Sequence, residues 1–334
     1  MAQRTGQAVV LCLLSLWGEQ VIVKKLFLTT LLVCTFAVVA GCAKQPSGPL
    51  GSKDNPLKMG FVPSLDTNKI TLSAKALSAA LEQKTGYTIK TTVMTSYAAV
   101  IEAMRGDQVD VAWLAPLSYV QARKEVGADV MLISQRGGQT SYYGILLARK
   151  DSGIKTIQDF KGKRFAFTDP MSTSGSLYPR ELFLRSGINP DKDLKPMFAG
   201  KHDAAVIAVY NGQAAGCSVY GGTKTDARDR VTGTFPDVKD KLFIVARTAS
   251  IPNDNVAANK SLPADMRAKL TKALLDIANS PEGKKMLIDV ADIDGLKPAK
   301  DSEYDSVREM AKQLNLDLKQ AIANEGPKKK TKKG

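Results

Sequence analysis

The sequence predicts an α/β protein of two lobes, and three observations carry that prediction. Short apolar runs of strand length alternate with longer stretches whose apolar residues recur at helical spacing. The pattern restarts after residue 150, as a second α/β unit set inside the first would require. The chain has 334 residues, long for one core and comfortable for two of about 100–150 residues each.

The N-terminal stretch reads as an export signal. Lys24-Lys25 precede an apolar stretch over 26–40 that is broken only by Thr29, Thr30 and Thr35 and closes on Val39-Ala40-Gly41-Cys42. A basic start, an apolar run and small residues before a cleavage point describe a secretory signal. The run is short for a bilayer core of ~30 Å. Cysteine at the first mature position resembles a bacterial lipoprotein lipobox, which implies cleavage before Cys42 and a lipid on its sulfur. Residues 1–41 are therefore read as signal peptide, with Val23 a candidate translation start. Residues 42–56 are rich in Gly, Pro, Ser, Lys and Asn and read as a flexible tether.

The first unit opens with a strand over 57–62, closed by Pro63-Ser64. Asp66 or Thr67 caps a helix with Ile70, Ala74, Leu77, Ala80 and Leu81 on one face, and Gly86 ends it. Alternation over 87–94 gives a strand, and Ser96 starts a helix through Val100, Ile101 and Met104. A buried strand over 109–114 leads to a helix opened by Pro116. Strands follow at 130–134 and 141–148. Sheets in such a chain are expected to be mostly parallel.

After 151–163 the pattern resets. Arg164-Phe165-Ala166-Phe167-Thr168 is a strand and Asp169-Pro170 breaks it. Ser172-Thr173-Ser174-Gly175 then precedes a helical pattern of Leu177, Leu182, Leu184 and Ile188. The hydroxyls sit where a strand turns into a helix start. Orphan N–H groups and the positive end of the helix dipole lie there, so the run makes an anion cradle of uncharged donors. The simpler reading, that Ser172 or Thr173 only caps the helix, needs one hydroxyl. A strand over 194–198 follows, and Gly200-Lys201-His202-Asp203 starts a helix with Val206, Val209 and Tyr210. Strands are read at 214–220 and 242–246. Helices close the chain at 264–279, 282–290, 304–314 and 316–324. The expected lobes are 57–145 with 248–326, and 146–247, with a lysine tail at 327–334. A cleft between lobes, at the C-terminal ends of strands, is where such folds hold ligands.

Other function classes find little support. The formal net charge is +14, but Lys328, Lys329, Lys330, Lys332 and Lys333 lie in the tail, and basic residues are not interleaved with aromatics as single-strand binders require. Cys217 is the one cysteine after Cys42, so no disulfide forms within 43–334, and a single histidine gives no metal cluster. No P-loop or G-x-S-x-G elbow is present. Cys217 reads as an inert thiol and Trp113 as packing.

Several segments resemble the phosphonate/phosphite/phosphate-type substrate-binding proteins of ABC importers. They include Tyr97-Ala98-Ala99-Val100, Asp110-Val111-Ala112-Trp113, Pro116-Leu117-Ser118-Tyr119, Asp169-Pro170-Met171-Ser172-Thr173-Ser174-Gly175, Ala199-Gly200-Lys201-His202-Asp203 and Ile251-Pro252-Asn253-Asp254. The resemblance implies a type II periplasmic-binding-protein fold with its ligand in the interlobe cleft, and binding without catalysis or cofactor. By it, Ser172, Thr173 and Ser174 hold a phosphorus oxyanion, and Tyr97 and Tyr142 donate phenolic O–H groups. His202 binds an anionic oxygen or the P–H or P–C edge, and Asp254 accepts from a protonated oxygen. Tyr142 is preferred over Tyr143 by the resemblance only, and Tyr97 and His202 also fit as a core residue and a helix cap. A membrane permease is the implied partner, a monomer the implied state, and the outer face of the cytoplasmic membrane or the periplasm the implied place. Family members that bind aminoalkylphosphonates carry an acidic residue where this chain has Gly221-Gly222-Thr223. That departure favours phosphite, phosphate, hypophosphite or a small alkylphosphonate. The alternatives are an anion-sensing lipoprotein without transport, and a hydrolase using Ser172 or Ser174 with His202 and Asp203.

Overall fold

The computed structural model describes residues 47–222 and 224–315. The signal segment, Cys42, Thr223, the helix expected over 316–324 and the lysine tail lie outside the described residues. The elements run β1 Leu57–Phe61, α1 Thr67–Thr85, β2 Ile89–Val93, α2 Tyr97–Arg105, β3 Val111–Leu114, α3 Pro116–Val126, β4 Asp129–Gln135 and β5 Ser141–Arg149. There follow β6 Arg164–Phe167, α4 Tyr178–Arg185, β7 Lys195–Phe198, α5 His202–Tyr210, β8 Gly216–Gly221, α6 Val238–Lys241 and β9 Leu242–Pro252. The chain continues with β10 Asn255–Ala258, α7 Ala264–Ala278, α8 Pro281–Ala291, β11 Gly295–Pro298 and α9 Asp305–Gln313.

Local chemistry sets these limits. Asp66 caps α1 by accepting from the Lys69 amide at 3.0 Å, and Gly86 ends it in the left-handed region at φ 71°. Pro116 sits at the start of α3, where a missing N–H is harmless.

Two sheets result, one per lobe of a type II binding-protein fold. The six-stranded sheet has the order β11-β4-β10-β3-β1-β2 and the five-stranded sheet β7-β6-β8-β5-β9. They are mixed rather than mostly parallel. β1 pairs with β2 and β3 in parallel, but β10 is antiparallel to both its neighbours. The sequence reading misses β10 and β11 and shortens β9. All four residues of β10 are buried, so Asn255-Val256-Ala257-Ala258 shows no alternation, and apart from Val256 its residues have little intrinsic strand preference. β5 and β9 pair from Ser141↔Pro252 to Arg149↔Leu242, so both lie in the five-stranded sheet over their whole length, spanning the limits expected near 145 and 248.

Helices cover both faces of each sheet. In the six-stranded lobe Leu77 and Leu81 of α1 and Leu270 and Leu274 of α7 pack with Leu57 and Met59. In the five-stranded lobe Phe160, Phe165, Phe167 and Phe183 form a cluster with centroids 5.0–6.4 Å apart, edge-to-face except for the tilted pair Phe165–Phe167. Each such ring contributes about 1.5–3 kcal/mol by leaving water. Tyr97, Leu117, Met171, Leu177 and Tyr178 share one further cluster, which joins the two lobes.

Candidate functional site

The hydroxyl run forms a wide turn rather than the first turn of an α-helix. Residues Thr173–Leu177 make a single π-turn before α4 begins, closed by the Leu177 amide on the Ser172 carbonyl at 3.1 Å. Asp169 starts it by accepting the Met171 amide at 2.7 Å. Ser172 does cap it, accepting from the Gly175 amide at 3.1 Å. The turn is pinned to the sheet through the Gly175 carbonyl, which accepts from the Thr168 amide at 3.1 Å and the Ser218 hydroxyl at 2.7 Å. A Cβ on Gly175 would lie 2.3 Å from Thr168 Oγ1, so only glycine lets the turn come this close.

The turn faces a cavity of about 30 Å³ between the lobes. Tyr97, Tyr142, Ser172, Ser174, His202 and Asp254 all line it, so six of the seven ligand-binding candidates meet at one place. Thr173 does not line it. Its hydroxyl accepts from the Leu117 amide at 2.8 Å and so ties the turn to the start of α3 in the other lobe. Tyr142 rather than Tyr143 is on the wall.

Sequence reasoning overlooked Arg136 and Tyr220. Both line the cavity. The cradle is therefore not made of uncharged groups alone. Arg136 Nη2 lies 2.7 Å from Asp254 Oδ2, and its Nη1 donates to Asn253 Oδ1 at 3.0 Å. Arg136 follows β4 in a Gly-Gly turn that reads as a surface loop. Tyr220 sits near the C-terminal end of β8, a position that could have flagged it.

Burial fixes the protonation of the wall. It raises the phenol pKa of Tyr97, Tyr142 and Tyr220, with Asp169 and Asp254 adding to it at Tyr97, so all three remain O–H donors. Tyr97 pairs with Ser172 and Tyr142 with Ser174. Burial, then the nearby Arg136 charge, pushes His202 down to about 3, so its imidazole is neutral near pH 7. The Tyr220 amide donates to His202 Nδ1 at 3.3 Å, and Thr168 Oγ1 lies 3.2 Å from the same nitrogen. An accepting Nδ1 puts the proton on Nε2, leaving the ring one N–H donor. Asp203 Oδ1 instead accepts the Ala204 amide at 2.8 Å. Cys217 is buried in the core of the five-stranded lobe and burial raises its thiol pKa, as expected of an inert thiol. Trp113 stacks on Phe61 with centroids 5.7 Å apart.

Comparison with known proteins identifies this architecture. The profile of the family described as ABC transporter, phosphonate, periplasmic substrate-binding protein matches residues 59–304. The chain belongs to this family. It is 29% identical over 308 residues to the phosphate-import protein PhnD of Mycolicibacterium smegmatis, covering 84% of this chain and 94% of that protein. It is 27% identical to the phosphonates-binding periplasmic protein of Escherichia coli, over 62% of each chain. Among solved structures, a binding component of an ABC phosphonate transporter from Pseudomonas aeruginosa superposes with TM-score 0.70 at 24% identity, covering 83% of this chain and 89% of that one. PhnD1 of Prochlorococcus marinus, solved with methylphosphonate, superposes with TM-score 0.69 at 21% identity over 78% of this chain and 98% of that one. The family consists of substrate-binding components of transporters, not enzymes, and acts in the periplasm.

Proposed function

We propose that this chain captures a small phosphorus oxyanion, namely phosphite, phosphate, hypophosphite or a small alkylphosphonate, and hands it to an ABC permease. One observation carries the reading. Ser64, Ser172 and Ser174, the tyrosines Tyr97, Tyr142 and Tyr220, the neutral imidazole of His202 and the Arg136–Asp254 ion pair line a single cavity of about 30 Å³. A water needs roughly 10–15 Å³ by this measure, so the space is that of two or three waters, the scale of a small tetrahedral oxyanion. In this reading Tyr97, Tyr142, Ser172, Ser174 and His202 donate to the ligand, Asp254 shares a ligand proton, and Thr173 holds the turn in place. The lobes close over the anion and the closed form is what the permease meets.

A hydrolase would need a base on Ser172 or Ser174. His202 is a poor base at its depressed pKa, and its Nδ1 faces Thr168 and the Tyr220 amide rather than a carboxylate. Turnover of an activated phosphoester that disappears in Ser174→Ala would contradict the binding role. We further propose a monomer held at the membrane by lipid on Cys42, which mass analysis of the membrane-extracted protein would detect.

Calorimetry of the mature chain against phosphite, phosphate, hypophosphite, methylphosphonate and sulfate tests the main claim. At least one phosphorus oxyanion binds, and sulfate, which brings no proton to share with a carboxylate, binds more weakly. Failure of every phosphorus oxyanion to bind overturns it.

A further inference from the structure

The cavity wall contains its own ion pair. Arg136 and Asp254 reach it from two different connections, the turn after β4 and the link between β9 and β10. Their side chains are only 15% and 24% exposed. The pair sits in a braced frame. Arg136 exchanges backbone hydrogen bonds with Gln139 at 2.9 and 3.1 Å, and the Asn253 amide donates to the Thr140 carbonyl at 2.8 Å. Asn253 accepts from Arg136 on one side and donates from Nδ2 to the Gln139 carbonyl at 2.9 Å on the other. The guanidinium carbon lies 5.7 Å from the centre of the Tyr142 ring, on which a cation is favourably placed.

A lone carboxylate in an anion cavity has two uses. It can share a proton with the ligand's oxyanion, or it can neutralise a cationic group elsewhere on the ligand. The second use is closed here, because the cation that Asp254 faces belongs to the protein. An ammonium brought into this cavity would meet a guanidinium fixed at 2.7 Å from the carboxylate. It would have to displace a bidentate-capable cation with a point charge, or lie beside a like charge in a poorly solvated space. A methyl, an ethyl or a bare P–H bond meets neither difficulty.

We infer that Arg136 sets the charge class of the ligand: by engaging Asp254 it excludes phosphonates bearing an amine and admits those whose substituent is uncharged. The inference rests on the phosphorus-oxyanion reading and adds a specificity residue to it. Ethylphosphonate and aminomethylphosphonate have nearly the same shape and differ in the charge of one end, so their affinity ratio reads the effect directly.

Titration calorimetry with both ligands on the mature chain and three variants tests it. The unaltered protein prefers ethylphosphonate by at least about tenfold. Arg136→Gln frees Asp254 and moves the ratio at least about tenfold toward aminomethylphosphonate, whereas Arg136→Lys keeps it near the starting value. Asp254→Asn, which leaves the guanidinium without its counter-ion, moves the ratio the opposite way and provides the reading if Arg136→Gln does not fold. A ratio unchanged in Arg136→Gln or in Asp254→Asn, with ethylphosphonate still bound, overturns the role of Arg136 alone. Absence of binding by either ligand to the unaltered protein, together with phosphite and phosphate, overturns the oxyanion reading and this inference with it.

Discussion

His202 stays neutral because it is buried beside a guanidinium, and that makes it a reporter of folding at low pH. Its folded pKa of about 3 lies below the ordinary value of about 6.5 that the unfolded chain regains. As pH falls from 6.5 the unfolded chain takes up a proton that the folded chain refuses. Stability is therefore fully present above about pH 6.5 and is lost progressively toward pH 3. The loss is of the order of a few kcal/mol. Urea midpoints at pH 7.5, 5.5 and 4.5 should fall more steeply for the unaltered protein than for His202→Asn, and parallel declines would contradict the assignment. At this scale the hydroxyl run was legible because its donors lie within one short stretch at a strand end. Arg136 was not. It meets Asp254 across 118 positions of sequence, and an arginine before two glycines carries no local mark of burial. Thr173 belonged to the motif, yet nothing in the run says which of three neighbouring hydroxyls faces away and serves the other lobe.

The π-turn is the element that converts a strand end into a cradle, and its geometry depends on Gly175. A methyl group there would meet Thr168 Oγ1 at 2.3 Å, Thr168 Cβ at 2.4 Å and Ser172 Oγ at 2.9 Å. Two of those atoms belong to the strand end and one to the cradle itself. Gly175→Ala must push the turn off β6 and loosen the bonds its carbonyl receives from the Thr168 amide and Ser218. Overpacking of this kind costs about 1–3 kcal/mol. The variant should unfold at lower denaturant and bind the oxyanion at least about tenfold more weakly, because the displaced groups are the donors. Unchanged midpoint and affinity in the same preparation would show that the turn tolerates a side chain. Elements were readable in proportion to their periodicity. α1 and α7 bury one face each and announce it. β10 enters antiparallel between β3 and β4 and is buried on both faces, so it has no alternation, and Val256 is its one β-branched residue, too little to separate it from a loop. Its presence, with β11, is why the sheet is mixed where α/β alternation suggested a parallel one.

At the scale of the whole molecule the lobes meet through contacts that lie outside the cavity as well as around it. The His202 amide donates to the Ser64 carbonyl at 3.0 Å and Lys201 Nζ to Thr67 Oγ1 at 2.7 Å. At the end of α8, Asp292 receives both Tyr220 Oη at 3.2 Å and Arg230 Nη2 at 2.6 Å. Tyr220 also lines the cavity and lies edge-on to the His202 ring, with centroids 5.1 Å apart. One side chain thus touches the ligand space and the clasp between lobes. Contacts made only when the lobes meet set the balance between open and closed forms, and apparent affinity scales with the closed fraction. Asp292 holds φ at 56°, a left-handed conformation that asparagine tolerates and alanine does not. Asp292→Asn is therefore the informative change, since it removes the charge without straining the backbone. A charged hydrogen bond in such a half-buried place contributes about 1–2 kcal/mol. The variant should bind every oxyanion about 5- to 30-fold more weakly while the ranking among ligands stays as it was, because no cavity donor has changed. X-ray scattering of the ligand-free variant should show a larger radius of gyration than the unaltered protein. Equal affinities and superimposable scattering would mean that closure is decided by the cavity donors alone, with the clasp contributing nothing to it.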